Sequence, residues 1–184
     1  MPDKTGRDAQ KAPDRRIARN DVLLAGMGVF LAVLVCACSR AGSKGEQGST
    51  APKYPAELSA ESSPSAVAQV LIRALEEEDT PTLMGLVAVK AESKAVEDIY
   101  RRHGREAKTD YNKVARFTAG GWAISYAFVQ NGSAEVGKES VQGDKATVTA
   151  GARLPNGDPC RLRLKLVQED GVWKVGAGIE MGKE

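Results

Sequence analysis

One histidine and three cysteines are all that this 184-residue chain has of the side chains that bind soft metals or staple small folds. That scarcity excludes a histidine-rich metal centre, a zinc ribbon and a disulfide framework, each of which needs such groups at repeated spacing. Net charge is also small. The 26 Lys+Arg stand against 24 Asp+Glu, for a formal +2, whereas a dedicated nucleic-acid binder carries a strongly basic surplus. A glycine-rich phosphate cradle is missing as well: Gly176, Gly178 and Gly182 lie near the end of the chain with no helix to follow them, and a nucleotide fingerprint needs strand, loop and helix N-terminus in that order. No metal, cofactor or nucleic acid is therefore expected. The length suits one ordinary domain and is too short for two.

What is present first is a leader. Residues 22–35, VLLAGMGVFLAVLV, are an apolar run preceded by Lys4, Arg7, Lys11, Arg15, Arg16 and Arg19. A membrane helix needs about 20 residues, so a 14-residue run fits a secretory core better. An uncleaved anchor or a buried helix are the other readings of the run. It ends in Val35-Cys36-Ala37-Cys38-Ser39. This order resembles the lipobox of bacterial lipoprotein signal peptides, with an aliphatic residue, a small residue and then the acylated cysteine. The resemblance implies cleavage before Cys38, lipid on Cys38 and a protein held at a membrane of the cell envelope. In a Gram-negative cell, Ser39 after the lipidated residue implies the outer membrane, facing the periplasm. Residues 1–37 hold six basic and four acidic groups, so the +2 belongs to the leader and the remainder is formally neutral.

Residues 39–56, SRAGSKGEQGSTAPKYPA, are rich in Gly, Ser, Pro and charge and nearly free of branched aliphatics. Such a segment cannot bury enough apolar area to offset its ordering entropy, and residues 38–56 are expected to be a tether. Its reach would be roughly 20–25 Å.

The folded part is expected over residues 57–184. Ser63-Pro64 opens a helix with Val67, Val70, Leu71, Ala74 and Leu75 on one face, closed by Glu76, Glu77, Glu78 and Asp79. Thr80-Pro81 opens a second, short helix, and residues 92–103 read as a third with Gly104 as its stop. Residues 111–131 are undecided between helix and strand, because Gly120-Gly121 interrupts the apolar pattern. A first strand covers about residues 134–141. The period then becomes 2: Ala146, Val148, Ala150 and Ala152 alternate with polar residues, as do Cys160, Leu162, Leu164 and Leu166, and then Trp173, Val175, Ala177 and Ile179. Asn156-Gly157 and Asp170-Gly171 are the intervening turns. Helices first and an antiparallel meander last is an α+β order, with the helices covering the apolar face of the sheet.

The opening SPSAVAQVLIRALEEEDTPTLMGLV, with GDKATVTA and LKLVQEDGVWKV, resembles the cone-shaped α+β fold of the nuclear-transport-factor-two-like superfamily, whose curved sheet wraps a long helix, and in particular uncharacterised lipoprotein domains of that fold. The resemblance implies a pocket between helix and sheet but no reaction, because the fold hosts enzymes and non-catalytic modules alike.

Tyr100, His103, Trp122, Tyr126 and Trp173 are the candidates to line such a pocket. A lone His103 at a helix end is equally explained by the last helical carbonyls. Cys160, on the leucine face of its strand, reads as a buried, inert thiol. Arg161, Arg163, Lys165 and Lys174 are expected to share the outward side of the last two strands, as a face for an anionic partner or as solvated residues paired to acids. No convergent catalytic set emerges. The expectation is a membrane-anchored, non-catalytic module that binds a small ligand or an envelope protein. The alternatives are an acid/base enzyme of the isomerase or dehydratase kind, and a homodimerising structural module.

Overall fold

A computed structural model describes residues 51–183. The leader, Cys38 and most of the expected tether lie outside the described residues. Among the described residues four helices precede four strands: α1 (Pro64–Glu76), α2 (Thr80–Leu86), α3 (Val89–Arg102), α4 (Tyr111–Tyr126), β1 (Glu135–Gln142), β2 (Lys145–Arg153), β3 (Pro159–Glu169) and β4 (Val172–Lys183). The strands form one antiparallel sheet in sequence order, and the helices cover its apolar face. The expected α+β architecture is the one observed.

Local chemistry accounts for three helix starts. Ser63 Oγ accepts the Ala66 amide at 3.2 Å, Asp79 Oδ1 accepts that of Thr82 at 3.3 Å, and Asp110 Oδ1 accepts those of Asn112 and Lys113 at 2.9 and 3.2 Å. The Asp79 bonds hold its carboxyl below the usual aspartate range.

The third helix differs from expectation. It begins at Val89 rather than at 92, and its N-cap position, Ala88, has no capping side chain. The cap comes instead from Glu169 at the end of β3, whose Oε1 accepts the Ala91 amide at 2.8 Å. The two preceding residues are drawn against the sheet. Val87 bridges Val175 in parallel, and the Ala88 amide donates to the Val175 carbonyl at 2.9 Å.

Residues 111–131 resolve into a helix over most of their length. Val114, Ala115, Ala119, Trp122 and Tyr126 fall on one buried face. Gly120 is exposed and Gly121 half-buried, so neither lies on that face. The glycines cost about 1 kcal/mol each in propensity, which the burial of Trp122 and Tyr126 outweighs.

The three hairpins follow the strand alternation. Asp170 and Gly171 both have positive φ, 54° and 79°, the conformation of a two-residue turn matched to strand twist. Two bulges break the ladders, between Val136 and Glu139 of β1 and opposite Leu164/Lys165 in β4. In β4, Lys165 pairs with Gly176 and Leu164 with Ile179. Two extra residues are inserted there, which preserves parity and returns Ile179 to the inner side. Gly178, at φ 84°, supplies the left-handed backbone this needs.

The folded chain begins before residue 57. Tyr54, placed in the tether by composition, donates its hydroxyl to the Trp173 carbonyl at 2.9 Å. Residues 53–55 lie so close to α2 that a Cβ on Gly85 would stand 2.3 Å from the Lys53 carbonyl oxygen. Only glycine leaves room for that crossing.

Candidate functional site

The side chains that fill the space between α1 and the sheet decide where a site can be. Leu71 from α1, Leu86 from the end of α2, Trp122 from α4 and Leu162, Leu164 and Leu166 from β3 are fully buried in one cluster. Trp122, Tyr126 and Trp173 all belong to it. These three expected pocket residues are therefore brought together, as packing. Tyr100 and His103 are placed elsewhere, at the end of α3, where Tyr100 is half-buried and His103 is exposed at the C-cap.

Two open grooves lie at the margins. One, of about 360 Å³, runs between α1 and β1 and is lined by Ile72, Arg73, Glu76 and Val136 among others. The other, of about 320 Å³, lies beside the end of α4 and includes Glu78, Ala123, Tyr126 and Ala127. No residue of β2, β3 or β4 lines either one.

Glu76 knots the first groove to the second. Its Oε1 accepts the Tyr126 hydroxyl at 2.9 Å and the Gly132 amide at 3.0 Å. Burial, and then this hydrogen bond to a carboxylate, push the Tyr126 phenol well above its usual range. The folded state thus favours neutral Tyr126. The stability so conferred is fully present below the unfolded tyrosine value of about 10 and is lost as pH rises beyond it. In an alkaline ultraviolet titration one tyrosine should ionise only with unfolding. Tyr126→Phe should abolish that late step and cost about 1 kcal/mol.

The outer side of the sheet is built by the residues that alternate with the core. Lys145, Gly151 and Arg153 of β2 and Arg161, Arg163 and Lys165 of β3 are exposed there. Glu180 of β4 is shared by Lys165, at 2.5 Å, and by Arg163, at 3.9 Å. No acid pairs with Arg161 among the described residues. Its neighbours across the two ladders are both glycines, Gly151 and Gly182. Neither has a positive φ, and a Cβ on either would meet nothing within 4 Å. Local packing therefore does not call for glycine at these two places. They leave the Arg161 guanidinium in an open, flat strip, of the kind where a ligand or another backbone can approach closely.

Lys174 departs from the expected stripe. It is buried, 7% exposed, with its Nζ 6.0 Å from the centre of the Tyr54 ring. Tyr54 stands beside it, a contact that strand alternation alone does not reveal. Cys160 is buried on the leucine side, as its strand phase indicates. The residues that sequence reasoning missed are Glu76 and Glu169. Both act across long separations, 50 and 78 residues, with no local pattern to mark them.

No family model matches the chain, and neither does any curated protein. Among solved structures the chain is similar to an NTF2-like protein from Campylobacter jejuni, at 17% identity and a TM-score of 0.41, over 63% of this chain and 99% of that one. It is also similar to a DUF4783 family protein from Bacteroides ovatus, at 13% identity and a TM-score of 0.38, over 62% and 93% of the two chains. A third is RPA3114, a SEC-C motif containing protein from Rhodopseudomonas palustris, at 17% identity and a TM-score of 0.40, over 66% and 79%. At these identities the likeness says nothing of activity.

Proposed function

We propose that this chain is a lipid-tethered, non-catalytic module of the cell envelope that binds an anionic partner across the outer face of its sheet. The tether reading rests on the order of basic leader, apolar run and Val35-Cys36-Ala37-Cys38. The binding reading is carried by one observation: among the described residues Arg161 has no acidic partner and stands between Gly151 and Gly182 on an exposed basic face. Arg153, Arg163 and Lys145 extend that face, and a guanidinium suits carboxylate or phosphate by its fork of donors.

The test is retention of the full chain, in neutral detergent, on an immobilised polyanion such as dextran sulfate. Retention should weaken with salt, and Arg161→Glu should elute markedly earlier than the unsubstituted chain. Arg101→Glu, the same charge change on α3, should elute much nearer to it. Equal effects of the two substitutions would mean that only total charge is sensed, and the sheet face would lose its role.

A further inference from the structure

We infer that the outward side of α4 is an interface for a second copy of this chain, the two α4 helices docking antiparallel about a twofold axis. Opposite its buried face, α4 and its C-terminal flank present Arg116, Gly120, Ala123, Ile124, Ala127 and Phe128, all exposed. At 100° per residue these positions fall within an arc of roughly 140°. Ile124 and Phe128 are 59% and 60% exposed, two of the large apolar side chains that the described residues leave to solvent, and they stand one turn apart. On the same side stand the small residues Gly120, Ala123 and Ala127. A Cβ on Gly120 would meet nothing within 4 Å, so the smallness there is not set by packing within the described unit.

The charges choose the occupant. Lys113 and Arg116 stand at the start of the helix, while Glu78 lines the groove beside Ala123 and Ala127 near its end. Neither Arg116 nor Glu78 has an ion-pair partner among the described residues. A parallel pair of such helices would set base on base. An antiparallel pair centred near position 122 sets Arg116 of each copy toward Glu78 of the other, with Ile124 over the other copy's Gly120. Phe128 then covers the aliphatic stem of the other copy's Arg116. Every contact occurs twice, as an isologous interface requires.

In that geometry Ala123 lies near the axis and close to its own copy. Mild oxidation of the full chain carrying Ala123→Cys should give several-fold more disulfide-linked dimer than the unsubstituted chain. Lys145→Cys, on the outer sheet face, should stay at background. Adding Arg116→Glu or Glu78→Arg to Ala123→Cys should return the dimer to background, and adding both should restore it. Dimer at background with Ala123→Cys, equal crosslinking with Lys145→Cys, or failure of the double reversal to restore the dimer would each overturn the inference. So would a preference of the Ala123→Cys chain for anionic over neutral vesicles that Arg116→Glu abolishes, without dimer formation, which would make lipid the occupant.

Discussion

Trp122→Ala should lower the stability of the folded unit by about 3–5 kcal/mol, the cost of truncating a large core side chain that its surroundings cannot replace. Trp122 is 2% exposed and the largest of the fully buried side chains. It joins α4 to a core built by α1 and the sheet, so its loss opens a void that three elements would have to close together. Against a net stability of about 5–15 kcal/mol, such a loss brings the fold near its limit. The melting temperature should fall by roughly 10–20 °C, since each kcal/mol is worth a few degrees at this size. Thermal unfolding followed by circular dichroism checks it.

A companion substitution sharpens the argument. The Trp122 indole nitrogen is buried with no hydrogen-bond partner among the described residues, and an unsatisfied buried donor costs about 1–3 kcal/mol. Trp122→Phe removes that donor while keeping most of the ring volume, so the two effects offset and the net loss should stay below about 1.5 kcal/mol. If alanine and phenylalanine cost the same, the tryptophan is held by something other than packing.

How far the fold was legible follows from where each determinant sits. Ser63, the Thr80-Pro81 start and the strand alternation act within a few residues and could be read directly, although the cap of the second helix is Asp79, one residue earlier. The start of α3 could not, because its cap, Glu169, arrives from 78 residues away. The helix through Gly120-Gly121 was hidden because glycines weaken any pattern, and only tertiary burial of Trp122 and Tyr126 decides it. The candidate surface divides in the same way. Arg161, Arg163 and Lys165 are outward by simple period 2, whereas Lys174 shares their phase and is buried beside Tyr54, from a segment whose composition reads as tether. The glycines beside Arg161 became meaningful only when the register placed them there.

The proposed placement at a membrane carries the largest consequence of all, because it is close to all-or-none. Several acyl chains on one residue hold a protein firmly, at about 0.8 kcal/mol per buried methylene, where one chain holds it weakly. Removing the thiol of Cys38 removes the attachment point for all of them. The direct measurement is the intact mass of the protein recovered from the membrane fraction of a bacterial host, for the full chain and for Cys38→Ala. The product should lack residues 1–37 and carry lipid on Cys38. Cys38→Ala should give an unprocessed, unlipidated precursor. An unmodified, full-length chain from the unsubstituted sequence, or identical processing of both, would overturn the proposed membrane placement.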